Sequence, residues 1–407
     1  MKNVLRMILL TIVRILGALQ SRKAALNDHK RVPDRILLLR PDHFGDAILM
    51  TPVLQALRTH APDAHIAMMI GPWSSEVVAR HPALDRLITC PFPGFQRTSQ
   101  RVLDPYILLF RTAQQVRREH YDLAINLRPD FWWGAALIYL AGVPRRIGYA
   151  IQPGTPFLSC TLPFPAAEHA TVSNLRLGSA GLQALGYPAL EEPYTPAQYP
   201  LSFQPTHTER TWVDEHLQSA GVDSKETVVV IHAGTGGAVK HWRNEAWSSI
   251  ADKLATTEIL PRAARIVLTG SKSEISMVEE IARGMKSQPV LLTSTTVGQL
   301  AALLSRAQLV LGVDNGPLHM AVAQNTPSLR LFGPTDPHIF GPWGDQERHR
   351  VIAAIQPCAT CLTIPCGRLD FRPEELPEHP CVRNIPERQV LRMIAELVQT
   401  EVSPYGS

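Results

Sequence analysis

Three short stretches put reactive side chains beside flexible residues at spacings that can do chemistry. In RPDHFGDAILMTP, residues 40–52, the carboxylates Asp42 and Asp46 follow an apolar run and lead into an apolar-periodic helix that includes Pro52. A carboxylate there would face a ligand cleft. It can equally cap the helix N-terminus, where Asp satisfies unpaired amides, and this is the simpler reading of Asp46. Asp42 has a similar claim, and spacing does not separate the two. In VVVIHAGTGGAVKHW, residues 228–242, an apolar run is followed by Gly234, Thr235, Gly236 and Gly237 and then by Lys240. Small residues let backbone amides approach an anion, and a lysine adds a mobile positive charge. The Gly-Lys-Ser/Thr ending of a Walker A loop is absent, and many glycine-rich turns only reverse the chain. In LVLGVDNGPLHMAVA, residues 309–323, an apolar run breaks at Asp314, Asn315, Gly316 and Pro317 before a helix. A helix N-terminus with glycine at its mouth favours a phosphate, and Pro317 fits the first turn, where its missing amide costs nothing. Asp314 would repel a phosphate unless it holds something else, such as sugar hydroxyls. His319 would donate to the same group or be an ordinary half-buried histidine.

Each stretch follows a strand-like run, so the elements that position them are legible. RILLLR at 35–40, HIAMMI at 65–70, DLAINL at 122–127 and RRIGYA at 145–150 alternate with helix-length segments. The rhythm restarts with TVVVIH at 227–232, ARIVLTG at 264–270, QLVLGV at 308–313 and PSLRLF at 327–332. Alternation of this kind predicts parallel sheets in two doubly wound α/β domains. In such sheets ligands bind beyond the carboxyl ends of the strands, where the three stretches lie. The boundaries expected are an apolar N-terminal helix at 1–24, an N-terminal domain at 25–190, a proline-rich linker at 191–206 and a C-terminal domain at 207–407. No short-period repeat or low-complexity tract interrupts this plan.

The chain has 407 residues, is 45% hydrophobic and carries a formal charge of +4. That length favours two domains over one core. The modest charge, without a basic block in the body of the chain, argues against a nucleic-acid partner. The first twenty residues are strongly apolar but carry Arg6 and Arg14, with no small-residue cleavage site after them, so a cleaved signal peptide is not expected. Asn3, Arg6, Arg14 and Gly17 share a narrow helical stripe, which suits a helix lying in a membrane interface or one packing on its own domain.

Taken together, the three stretches resemble glycosyltransferase family 9, the ADP-heptose:lipopolysaccharide heptosyltransferases. The matching positions are Arg40, Asp42, Gly45, Asp46, Leu49, Thr51 and Pro52; then His232, Gly234, Gly236, Lys240 and Trp242; then Asp314, Gly316, Pro317, His319, Ala321 and the Leu331 to Pro337 run. Departures are Asn315 where Thr or Ser is usual, Met50 for a common Thr and Ala233 for a common Pro. The resemblance implies a GT-B fold with two Rossmann-like domains across a cleft, acceptor on the N-terminal side and nucleotide-sugar donor on the C-terminal side. It implies inversion at the anomeric carbon without a catalytic metal. Asp46 corresponds to the proposed base and Lys240 to a charge-stabilising position. Thr235, Gly236, Glu274, Asp314, Asn315, Gly316 and His319 fall on the donor side, and Arg40 and Asp42 on the acceptor side. The expected donor is ADP-heptose and the acceptor a lipopolysaccharide-core or other glycan. The alternatives are a transferase using another nucleotide sugar, or a catalytically silent nucleotide-binding assembly protein. A cytoplasmic enzyme touching the inner face of the membrane, with a lipid-linked acceptor, fits the apolar N-terminus.

Six cysteines are unevenly spread, with Cys90 and Cys160 isolated and Cys358, Cys361, Cys366 and Cys381 gathered. The last four supply soft ligands suited to tetrahedral zinc or iron. Free thiols or one local disulfide explain them as simply. The resemblance permits a structural metal, since some heptosyltransferases that modify autotransporter proteins carry iron on a cysteine set.

Overall fold

The computed structural model describes residues 33–96, 101 and 103–402, together with Thr11, Val13, Ile15, Gly17 and Ala18. Two compact units divide between Tyr194 and Thr195.

The first unit is built on β1 (Arg35–Arg40), β2 (His65–Ile70), β3 (Arg86–Thr89), β4 (Leu123–Asn126), β5 (Arg145–Tyr149) and β6 (Cys160–Leu162). All neighbours pair in parallel, in the order β3-β2-β1-β4-β5-β6. The central strands are continuous apolar runs because helices cover both faces of a parallel sheet. From Ile36 to Leu39 every side chain of β1 is fully buried. The helices are α1 (Phe44–Leu49), α2 (Thr51–His60), α3 (Asp104–Arg118), α4 (Trp132–Leu140) and α5 (Ala170–Leu185). Helix α5 ends at Gly186, whose φ of 90° is the left-handed conformation that a helix C-terminus gives to glycine.

The second unit repeats the plan with β7 (Thr227–His232), β8 (Ala264–Gly270), β9 (Val290–Thr293), β10 (Leu309–Val313), β11 (Ser328–Phe332) and β12 (His349–Ala353). Their order is β12-β11-β10-β7-β8-β9, again all parallel. Its helices are α6 (His207–Ser219), α7 (Asn244–Leu254), α8 (Ile275–Gly284), α9 (Val297–Arg306), α10 (Gly316–Ala323), α11 (Pro337–Phe340) and α12 (Glu387–Val402). Reciprocal capping boxes, Thr206 with Glu209 and Thr296 with Gln299, set the starts of α6 and α9.

The eight strands expected from apolar runs are present, and β3, β6, β9 and β12 were not foreseen. They are edge strands, short and partly exposed, so no continuous apolar run marks them. In the N-terminal segment Val13 is fully buried in the first unit's core, and the backbone of Gly17 lies against the Tyr139 ring. The remainder of the expected helix at 1–24, Arg6 and Arg14 included, lies outside the described residues. Among those described, no helix is long and apolar enough to cross a membrane.

Candidate active site and cysteine cluster

In each sheet the strand order reverses direction between two central neighbours, β1 with β4 and β7 with β10. The connections there leave to opposite sides and open a crevice at the carboxyl ends.

At the first crevice a chain of charges runs through a buried centre, Arg40 and Asp42. Arg40 is 5% exposed, and its Nε lies 2.7 Å from Asp42 Oδ2. Its other nitrogens donate to the Leu127 carbonyl at 2.9 Å, to Asn174 Oδ1 at 3.0 Å and to Asp46 Oδ1 at 3.3 Å. Asp42 is 1% exposed and also pairs with Arg128, which donates to Asp130 at 2.6 Å. Hydrogen bonding to Asp130 and the Asp42 carboxylate push Arg128 up despite its burial, so it stays cationic. Trp73 Nε1 donates to the carbonyls of Pro41 and Asp42, and Ser74 Oγ donates to Asp42 O at 2.8 Å, which fixes the turn. The structure thus separates the two carboxylates that spacing could not. Asp42 is closed inside two guanidinium groups, while the Asp46 side chain is 33% exposed. The helix-cap reading of Asp46 does not hold: the N-cap of α1 is His43, without a side-chain cap bond, and Asp46 sits within the first turn. Arg40 and Asp42, expected on the acceptor side, are joined to each other, and Arg40 reaches Asp46.

The second crevice is made largely of backbone. Lys240 Nζ lies 3.1 Å from Asp314 Oδ2, which also accepts from Thr335 Oγ1 at 2.7 Å. Thr235 Oγ1 donates to the Asp314 carbonyl at 3.2 Å, tying the turn after β7 to the turn after β10. Asn315 makes the same tie more firmly. Its Nδ2 donates to the carbonyls of His232 and Gly234 at 3.2 and 2.8 Å, and its Oδ1 accepts from Leu318 N at 3.1 Å as the cap of α10. The Asn315 side chain is therefore engaged within the protein, and its turn offers backbone to a ligand. Gly316 and Thr235 are partly exposed and Gly236 is exposed, while His319 is buried.

Glu274 lies just beyond β8, against the glycine-rich turn. A Cβ on Gly234 would fall 2.2 Å from the Glu274 carboxyl carbon, so glycine is required for the two to meet. Burial alone would raise the Glu274 pKa, but hydrogen bonds from Ser271 and the imidazoles of His232 and His241 bring it below the usual value. His232, 3.8 Å from Glu274, is itself driven down by burial against the pull of that carboxylate. Glu274, Lys240 and Asp314 are thus grouped around one turn.

The cysteine segment is packed on the second unit, with Cys358 and Cys381 in its core. All six cysteines are free thiols. The structure brings two of the four expected cysteines together with a histidine. Ligand atoms of Cys358, Cys361 and His379 lie within 4.8 Å of one another. Cys361 Sγ is 3.2 Å from His379 Nδ1. Cys366 adjoins Cys361 and Cys381 adjoins Cys358, both outside that group. His379 was missed because only the cysteines were considered, although it stands two residues before Cys381. The cluster backs onto the loop that follows β11. Gly367 N donates to Pro334 O at 2.7 Å, and a Cβ on Gly333 would fall 3.0 Å from Cys381 Sγ. That loop carries Thr335 to Asp314.

Arg128, Asp130 and Trp73, which the sequence reading did not single out, join the Asp42 turn directly or through one another. Arg128 follows the run at 122–127, so attention to every strand end would have found it.

Residues 109–369 match the sequence profile of glycosyltransferase family 9 (heptosyltransferase). The chain belongs to this family. It is therefore a glycosyltransferase with the two-unit architecture called GT-B. It is 30% identical to lipopolysaccharide heptosyltransferase 3 of Escherichia coli over 309 residues, which is 74% of this chain and 84% of that protein. Two solved structures share the fold. The family 9 glycosyltransferase of Veillonella parvula has a TM-score of 0.72 at 22% identity, covering 91% of this chain and all of that one. The E. coli ADP-heptose LPS heptosyltransferase II has a TM-score of 0.67 at 20% identity, covering 90% and 99%.

Proposed function

We propose that this glycosyltransferase moves heptose from ADP-heptose to a hydroxyl of a lipopolysaccharide-core sugar in one in-line displacement that inverts the anomeric carbon. The observation that carries the reading is a part-exposed carboxylate, Asp46, held by the buried Arg40 guanidinium at one crevice, with Lys240 beside a glycine-rich turn and a helix N-terminus at the other. The donor and acceptor classes come from relatives whose names specify ADP-heptose and lipopolysaccharide.

Asp46 takes the proton of the acceptor hydroxyl as its oxygen attacks the anomeric carbon, and ADP leaves from the opposite face. Lys240 and the amides of the Asn315–Gly316 turn compensate the charge growing on the leaving diphosphate, so no step calls on a metal. Thr235 and Gly236 line the diphosphate, Glu274 contacts the nucleoside, and Asp314 keeps Lys240 in place. The test is release of the nucleoside diphosphate, ADP or UDP, measured over a panel of nucleotide sugars with core-type acceptors. Fastest release is expected with ADP-heptose; a UDP-sugar as the best donor would replace it.

At the cysteine cluster the reading is one structural zinc or iron ion on Cys358, Cys361 and His379, with a fourth ligand from Cys381 or Cys366. Thiols and an imidazole are the donor set such ions take. Elemental analysis of protein purified without chelator should find one equivalent per chain, and a value well below that ends the idea. The apolar N-terminus is read as a peripheral contact with the inner face of the cytoplasmic membrane. Because Val13 is buried in the first unit, the suitable variant removes residues 1–10 only. Reduced sedimentation with anionic vesicles is expected, and unchanged binding refutes the contact.

A further inference from the structure

Arg330 stands in the middle of β11 and is fully buried. Its neighbours Leu329 and Leu331 point into the core of the second unit, so alternation along the strand turns Arg330 to the opposite face, where α10 packs. A buried cation is costly unless its donors are met. Arg330 donates through one terminal nitrogen to the Leu318 carbonyl at 2.7 Å and through the other to His319 Nδ1, 3.3 Å away. Its Nε has no partner among the described residues. Burial brings its pKa down to about 10, partly offset by Asp314, so it remains charged at neutral pH.

A guanidinium has only N–H groups to offer, so His319 Nδ1 in this contact accepts and the ring proton resides on Nε2. We infer that Arg330 is a positioning residue that locks His319 as a neutral Nε2–H imidazole, a fixed hydrogen-bond donor for the anionic diphosphate of the donor substrate. The cation also lies under the first turn of α10, adding to the potential by which a helix N-terminus attracts an anion. The inference rests on the reading of the β10–α10 turn as the diphosphate site. Of the charged and titratable groups, Arg330 from β11 meets His319 directly, Asp314 from the turn acts on Arg330 and pairs with Lys240, and His349 from β12 feels Arg330 from the other side. Burial holds His349 down to about 3, which leaves it uncharged across the working range. Without Arg330, the imidazole would be free to take a second proton when a diphosphate binds, since a nearby anion favours the charged ring.

The test compares wild type with Arg330→Met, which replaces the buried cation by an apolar chain of similar length, and Arg330→Lys, which keeps a cationic donor. In long-range 1H–15N spectra of histidine-labelled protein, with His319 assigned from His319→Gln, wild type should show the Nε2–H form. Arg330→Met should bind ADP about tenfold more weakly than wild type at pH 8.5 and only about twofold more weakly at pH 6. Ionisation of ADP itself cancels in that ratio. Arg330→Lys should restore the wild-type tautomer and most of the affinity. A wild-type ring protonated on Nδ1 overturns the proposal, as does a ratio near one at every pH. An equal loss at every pH makes Arg330 a structural residue and also overturns it. Lys240→Ala checks the underlying reading separately: unchanged ADP affinity there refutes the diphosphate site, whatever tautomer His319 holds.

Discussion

The two switch points share one strand order and are built from opposite materials. In the first unit the crevice is a chain of side-chain charges in which Asp42 and Arg40 are sealed, while Asp130 and Asp46 at its two ends reach solvent. In the second it is backbone, with glycines at 234, 236 and 316, a capped helix end and one lysine resting on Asp314. The difference follows from the tasks proposed for them. A base must be a side chain held at one place, and buried guanidinium partners hold it. A diphosphate is best met by amides, and only small residues let the backbone come near enough. Topology supplies the location, and side-chain chemistry decides what each location does.

Variants that act on one crevice and spare the other put that contrast to work. Asp46→Asn should lower turnover by about 10²–10⁴-fold and leave ADP affinity at the wild-type value, read from steady-state rates and calorimetry. Wild-type turnover would remove Asp46 from the role of base. Asp42→Asn leaves Arg40 and Arg128 short of a buried counter-charge, so unfolding should show about 3 kcal/mol of lost stability. A loss confined to activity would mean that Asp42 meets substrate directly. Lys240→Ala should weaken ADP binding by roughly 10–100-fold, the worth of a charge-assisted hydrogen bond.

Two smaller effects sharpen the second crevice. Thr335→Val removes the hydroxyl that Asp314 accepts and should cost ADP affinity a factor of about three to ten, or about 1 kcal/mol. A similar loss after chelation, in protein found to contain a metal, would place the cysteine cluster and Thr335 on one loop mechanically. His349 gives the pH dependence. Burial, reinforced by the Arg330 and Arg348 cations, pushes it down to about 3. The unfolded ring takes up a proton near pH 6.5 while the folded ring does not, so stability is complete above that pH and falls as the pH drops toward 3. Between pH 7 and pH 5 this amounts to about 2 kcal/mol. His349→Gln should flatten the slope in denaturant titrations, and an unchanged slope assigns the acid sensitivity elsewhere.

Much of this was legible in the chain. Central strands announced themselves because both their faces are covered, as the unbroken run at 36–39 illustrates, whereas β3 and β6 at the edges are too short and too wet to show a pattern. Asp46, Lys240 and Asp314 were visible as the polar ends of apolar runs. Arg330 was read only as part of a strand, since nothing in PSLRLF tells whether its arginine is an exposed edge charge or a sealed one. His379 was passed over for the same reason: its partners Cys358 and Cys361 are about twenty residues away and meet it only in the folded loop.

The residues themselves determined the two α/β units and the turns that carry the chemistry, because periodicity and glycine placement are local properties of the chain. Which carboxylate is open and which is sealed, whether Asn315 serves a ligand or the protein, and what His319 Nδ1 faces were decided only by tertiary structure. Each depends on charges brought together across strands, and burial sets how strongly those charges act on one another.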